Sequence, residues 1–226
     1  MFSNEIIIHK ELVLELAFLV SITEDTLSKT PKKEYSILFN EFLNQDELDK
    51  LSEFASTLDL SSHLENILSG TFGFGFGFGF AGTLTRTLNE QFSKITEKYS
   101  DDPHIKKILI QRITDNGFNI LNLSESSIKK EMAYLPEIKF EIIKETAKKI
   151  IQEDFNNNST EKEKKLIIAS LLDMAYSNCI LTNNELELIN FIANELALDP
   201  EYVNEFITPI SQIALSMKEV IGLINE

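Results

Sequence analysis

Apolar residues recur along most of the chain at the three- and four-residue spacing of a helix that buries one face. One such stripe runs through residues 138–151 and another through residues 186–196. Between them, residues 166–175 are apolar on nearly every face, which predicts a helix at the centre of a bundle. The pattern therefore predicts an all-α, multi-helix bundle.

Capping signals divide the chain into individual helices. Four pairs set a capping side chain before a proline, which suits the first helical position because no N–H is needed there. They are Thr30-Pro31, Asp102-Pro103, Asp199-Pro200 and Thr208-Pro209. Capping boxes are expected at residues 160–163 and 182–185. The predicted helices cover residues 4–22, 31–43, 45–58, 61–69, 84–99, 103–115, 125–134, 137–154, 161–178, 183–197, 200–206 and 209–224.

Glycine is concentrated in one window of an otherwise glycine-poor chain. Six of the eight glycines lie between Gly70 and Gly82, whereas helix-favouring residues dominate elsewhere. This contrast predicts an N-terminal helical region over residues 1–66, a Phe/Gly-rich hydrophobic segment over residues 67–85 and a helical domain over residues 86–226.

The Phe/Gly-rich segment is the candidate functional site. Residues 66–85 carry no charge, and a helix of that length would span about 30 Å, near the thickness of a bilayer's hydrocarbon core. Its glycine spacing would let helices approach closely in lipid, whereas an extended chain could pair into sheet or pore-like assemblies. A hydrophobic hairpin packed inside the bundle is the structural alternative. The candidate membrane or oligomerisation residues are Phe72, Phe74, Phe76, Phe78, Phe80, Gly73, Gly75, Gly77 and Gly79.

Charge and cysteine content indicate which binding partners and which cellular compartment to expect. With 36 acidic against 21 basic residues, the net charge of -15 repels phosphates, so no nucleic-acid partner is expected. A single cysteine, Cys179, fits a reducing compartment, and no basic signal-peptide region opens the chain. We therefore expect a cytoplasmic protein that the Phe/Gly-rich segment could bring to a membrane.

The chemistry-bearing residues do not form a recognisable catalytic or cofactor motif. His9, His63 and His104 are isolated in the sequence, and neither they nor Cys179 have a second ligand at zinc-site spacing. The glycine run is not followed by the Lys-Ser/Thr pair of a phosphate-binding loop. The sequence thus predicts a non-enzyme with no cofactor and no metal.

The C-terminal part of the chain resembles a known helical family. Residues 166–185 show, in order, a buried helix, an alanine-containing turn, a hydrophobic residue, a threonine cap and a glutamate that opens the next helix. Apolar positions then continue to Leu198. Over roughly residues 137–226 this pattern resembles the tellurite-resistance TerB-like helical domain.

One departure from the family concerns metal binding. Asn178-Cys179 stands where the family has Asp-Gly, so a charged ligand oxygen becomes a neutral amide and a glycine is lost. Asn178 and Glu185 could still offer oxygens to a divalent metal. In the structural interpretation, Asn178 ends one helix and Glu185 closes a capping box.

The resemblance implies a role without catalysis. TerB-like domains look like helical modules of bacterial stress and phage-defence systems that link membrane or effector components. The leading hypothesis is a non-enzymatic adaptor of a bacterial stress-response or antiphage system that contacts protein partners. The alternative is a membrane-active effector that inserts or forms homo-oligomers through the Phe/Gly-rich segment.

Overall fold

The computed structural model describes residues 10–23, 80–155, 159–176 and 179–225. Helices make up 83% of these residues and no strand occurs among them, which confirms the predicted all-α bundle. The α-helices are α1 Lys10–Ser21, α2 Phe80–Tyr99, α3 Pro103–Asp115, α4 Glu125–Ala133, α5 Pro136–Asp154, α6 Glu161–Ala175, α7 Asn183–Glu195 and α8 Glu201–Asn225. The helices predicted at 31–43, 45–58 and 61–69 lie outside the described residues.

α6 lies at the centre of the bundle, as its sequence predicts. It packs against α1, α7 and α8, and every residue from Ile167 to Leu172 is buried. α1 is enclosed as completely, because every residue from Leu12 to Thr23 is buried and the helix also contacts α5 and α7. The described N-terminal helix and the C-terminal helices therefore share one hydrophobic core.

Of the predicted caps whose residues are described, those at Asp102, Asp199, Thr160 and Thr182 form, whereas Thr208 lies inside a continuous helix. The Asp102 carboxylate accepts hydrogen bonds from the backbone N–H groups of His104 and Ile105, at 2.8 and 3.1 Å. The capping boxes headed by Thr160 and Thr182 are both complete. These local hydrogen bonds satisfy N–H groups that a helix start leaves without an intrahelical partner, which fixes where each helix begins.

The predicted break at Pro209 is wrong. α8 runs continuously from Glu201 to Asn225 with Pro209 inside it, where two separate helices were expected. The proline removes one backbone hydrogen bond. Val203 and Ile210, on either side of it in the chain, are only 0% and 5% exposed, so one apolar face packs on the core across the proline. We attribute the unbroken helix to this packing.

The start of α2 is also displaced from its prediction, from residue 84 to Phe80. The helix therefore includes the last phenylalanine of the Phe/Gly-rich segment and crosses the boundary drawn at residue 85. A short 3-10 helix, Ile120–Asn122, joins α3 to α4 and has no counterpart among the predicted elements.

A cluster of polar side chains links the end of α2 to α5 through hydrogen bonds. Lys98 Nζ and Tyr99 Oη donate to the two carboxylate oxygens of Glu141, each at 2.5 Å. Burial alone would raise the pKa of Glu141, but these two hydrogen bonds outweigh it and lower that pKa. The hydrogen bond to Glu141, reinforced by burial, raises the pKa of Tyr99. The carboxylate therefore stays charged while the phenol stays protonated, the combination that strengthens their hydrogen bond.

α3 and α7 end in the same capping motif with different residues at its left-handed position. Gly117 follows α3 with φ +78°, and Ala197 follows α7 with φ +52°. In both cases this residue and its successor donate their N–H groups to carbonyls of the helix's last turn. A side chain is disfavoured in this conformation, because its Cβ approaches the following carbonyl oxygen, at a cost of about 1–2 kcal/mol.

Exchanging the two residue types is therefore expected to shift stability in opposite directions. Ala197→Gly should raise the free energy of unfolding by about 0.5–1 kcal/mol, because relief of the φ strain exceeds the added freedom of the unfolded chain. Gly117→Ala should lower the free energy of unfolding by about 1 kcal/mol. The positive φ is the only cause expected, because no atom lies within 4 Å of the added Cβ.

Urea unfolding of each variant measures these changes, and Gly222→Ala is the matched control. Gly222 lies inside α8 with equally open surroundings, so alanine there should stabilise the protein by about 0.5–1 kcal/mol. Equal shifts for the two Gly→Ala variants would contradict the strain argument.

Candidate interaction surfaces

Most of the predicted Phe/Gly site lies outside the described residues. This applies to Phe72, Phe74, Phe76, Phe78, Gly73, Gly75, Gly77 and Gly79. Phe80 is described as the first residue of α2. Among the described helices, none combines the length and apolarity needed to cross a membrane. The membrane and oligomerisation roles assigned to these residues stay predictions.

Glu185 occupies the first turn of α7 and is fully buried, with 0% of its surface exposed. Its carboxylate accepts from the Thr182 backbone N–H at 2.9 Å and from the Thr182 hydroxyl at 3.1 Å. These contacts confirm the capping-box interpretation of Glu185. Asn178 lies outside the described residues. Within the described ranges, no three His, Cys, Asp or Glu side chains are grouped closely enough to hold a metal ion.

Cys179 adopts a left-handed backbone conformation, which glycine favours and other residues rarely adopt. Its φ is +63°, and its N–H donates to the Tyr176 carbonyl at 2.7 Å. The thiol donates to the Ala214 carbonyl in α8 at 3.7 Å. The turn between α6 and α7 is thereby attached to α8.

The connection between α3 and α4, which contains the 3-10 helix, exposes two large apolar side chains to water. Phe118 is 56% exposed and Leu121 is 87% exposed. Hydrogen bonds fix the backbone around them: the Phe118 N–H donates to the Ile113 carbonyl at 3.0 Å, and the Leu121 N–H donates to Asn119 Oδ1 at 3.0 Å. We refer to Phe118 and Leu121 as the loop pair.

An ordered backbone beneath exposed apolar side chains has a direct consequence for binding. A partner that covers the loop pair gains the burial of both side chains, and it has little backbone freedom to remove on binding. Ile110, on the preceding helix α3, is 47% exposed and adds apolar surface to the same part of the chain. The loop pair is therefore suited to docking.

α8 carries an exposed apolar stripe in addition to the one that it buries. Ile213, Val220 and Leu223 are 39%, 51% and 70% exposed. At 100° per residue they lie between about 60° and 140° around the helix from the buried residue Ile210, on the flank beside the buried face. Pro209, Ile213, Ser216 and Val220 line a shallow groove along this face. We refer to the full set, spaced alternately by four and three residues, as the α8 seam: Pro209, Ile213, Ser216, Val220 and Leu223.

Comparison of the chain with protein families, curated proteins and solved structures found no match. The TerB-like resemblance, and the function that it implies, therefore stay predictions. Among the described residues, the loop pair and the α8 seam are exposed apolar surfaces suited to binding a partner.

Sequence reasoning missed both surfaces. For α8 the signal was present, since the segment from residue 206 to 224 has apolar residues at helical spacing on more than one face. The break expected at Pro209 divided that segment and concealed its length. For the loop pair no comparable signal exists, because periodicity does not separate exposed from buried apolar residues within a loop.

Proposed function

We propose that the protein is a non-enzymatic helical adaptor of a bacterial stress-response or antiphage defence system. The family resemblance suggests the system, and the loop pair supplies the observation that carries the adaptor role. The side chains of Phe118 and Leu121 are exposed to solvent, and hydrogen bonds fix the backbone that carries them. Moving such a side chain from full exposure to full burial contributes about 1.5–3 kcal/mol, and a partner that covers Phe118 and Leu121 gains the share that belongs to their exposed surface.

The proposed partner is a protein with an apolar pocket and a basic rim. The pocket would take the loop pair, since buried aromatic and aliphatic anchors dominate interface energies. The basic rim follows from the chain's net charge of -15, which attracts positively charged surfaces and speeds their encounter. Asp115, in the last turn of α3 just before the loop, is exposed and adds negative charge beside the loop pair.

A double variant, Phe118→Ser with Leu121→Ser, tests the adaptor role. It should lose protection in a stress or phage-challenge assay in cells, and it should no longer co-purify with the product of a neighbouring gene. Its urea unfolding should change by no more than about 0.5 kcal/mol per site, because both side chains are largely exposed.

The matched control is Leu215→Ser on α8. Leu215 is 51% exposed and belongs to neither surface, so this variant should keep protection and partner. Full protection by the double variant, with the same protein still co-purifying, would contradict the proposal.

The second candidate function is a membrane-active effector, and the uncharged stretch over residues 66–85 favours it. Intact protein should then float with liposomes and release an entrapped dye, and the triple change Phe74→Ser, Phe76→Ser and Phe78→Ser should abolish both. Intact protein that neither binds nor permeabilises vesicles, under conditions in which it acts in cells, would exclude this function.

A further inference from the structure

We infer that two copies of this chain pair through the α8 seam as a short, parallel, two-stranded coiled coil. The α8 seam is separate from the loop pair, so pairing of two copies does not depend on the adaptor role.

The spacing of the α8 seam matches the repeat by which helices pair with each other. Its residues alternate by four and three positions, which is the a and d spacing of a heptad. Ile213 and Val220 fall at a positions, and Ser216 and Leu223 fall at d positions. Branched residues at a with leucine at d favour two parallel strands; Ile213, Val220 and Leu223 follow this pattern, whereas Pro209 and Ser216 occupy the other d positions. The seam can therefore match itself, a residue facing the same residue of the second copy.

Helix α8 is already formed and held by the core, which reduces the cost of pairing. Forming a helix in isolation is costly, because nucleation fixes several residues for one hydrogen bond. Here the neighbouring face of α8 packs on α6, and Val203 and Ile210 are buried. Pairing therefore has to order the seam side chains without having to form the helix.

Charge favours a second copy as the occupant of the seam. From Phe206 to Asn225 the only charged residues are Lys218 and Glu219, so this stretch is neutral in a chain of net charge -15. Two copies would repel each other over a uniformly acidic surface, whereas contact along this helix brings together no excess of like charge.

A membrane is a poorer occupant of the same face. Helices that lie on anionic membranes carry several Lys or Arg residues on their polar side, and this stretch has Lys218 alone. The net charge of the chain would add repulsion from anionic lipid. The small Ser216 at the middle of the seam instead permits close approach of a second helix.

Sedimentation and light scattering of the full chain test the pairing. The wild type should approach twice its monomer mass of 25.7 kDa as its concentration rises through the micromolar range. Ile213→Glu with Val220→Glu should remain at one monomer mass, because it places like charges opposite each other. A wild type that stays monomeric up to about 100 µM, the range of weak biological dimers, would overturn the inference.

Leu215→Glu is the matched control. It introduces the same charge on α8 at a residue 51% exposed and outside the seam, so it should still dimerise. Circular dichroism and urea unfolding of all three proteins verify that the variants keep the fold. Equal loss of dimer in the control would assign the effect to net charge and contradict the seam.

Cysteine cross-linking tests the parallel register. In a Cys179→Ala background, Ser216→Cys should form a disulfide between copies under mild oxidation, because parallel pairing sets residue 216 beside its counterpart. Leu215→Cys in the same background should not. Dimers that never cross-link through residue 216 would overturn the parallel geometry.

Flotation with vesicles of neutral and of anionic lipid separates the membrane outcome. The proposal expects no binding through α8, so the wild type and the Ile213→Glu, Val220→Glu variant should behave alike. Vesicle binding that this double change removes would overturn the assignment of the seam to a second copy.

Discussion

Leu172→Ala is expected to lower the free energy of unfolding by about 2–5 kcal/mol. Leu172 is 0% exposed and lies in α6, which packs against α1, α7 and α8. Truncation removes apolar atoms from a site surrounded on several sides, so the neighbouring helices cannot all move inward to fill the space. The cost therefore contains the lost transfer free energy and the cost of a residual cavity.

Urea unfolding followed by circular dichroism measures this loss, with Leu121→Ala as the matched control. The chemical change is identical, but Leu121 is 87% exposed, so its effect should stay within about 0.5 kcal/mol. A similar loss for the two variants would mean that α6 is not central to the stability of the bundle.

The position of α6 illustrates which parts of the fold the sequence predicts well. A helix that is apolar on nearly every face can only be stable when it is surrounded, and that inference needs no knowledge of its neighbours. Capping is local in the same way, because Thr160 and Glu163 are three residues apart and form their hydrogen bonds within one turn. Helix identity and centrality therefore followed from short-range patterns.

Pro209 shows where local reasoning fails. A proline after a capping residue predicts a helix start, and nothing within a few residues shows that Val203 and Ile210 pack on the same core. The loss of one backbone hydrogen bond is offset by the burial of apolar side chains, and that burial depends on how the whole bundle packs. The burial of Glu15 also depends on the whole bundle. This residue is 1% exposed within α1, although glutamate is typical of a protein surface.

The exposed apolar surfaces were harder to predict than the fold, because whether an apolar residue is exposed depends on which neighbouring helices cover it. The apolar residues of α8 satisfy two helical stripes, and only the arrangement of α6 beside one of them leaves the other in water. Cys179 makes a similar point for the backbone, since its φ of +63° is imposed by the turn between α6 and α7 against the preference of its side chain.

Glu185→Ala is expected to lower the free energy of unfolding by about 1–3 kcal/mol, a large effect for one polar residue. Its carboxylate accepts two hydrogen bonds from Thr182 and is 0% exposed. Water cannot readily take its place, so truncation leaves the Thr182 N–H with an unmet hydrogen bond and opens a cavity at the start of α7. Glu185→Gln should lose less, because the amide oxygen can still accept from Thr182.

The equivalent residue of the other capping box provides the comparison. Glu163 accepts from the Thr160 N–H at 2.6 Å and from its hydroxyl at 3.0 Å in an exposed setting, where water can replace it. Glu163→Ala should therefore cost only about 0.5–1 kcal/mol. Thermal and urea unfolding of both alanine variants decide the matter. Equal losses in the free energy of unfolding would show that the burial of Glu185 adds nothing to the stability of the α7 cap, which would contradict this prediction.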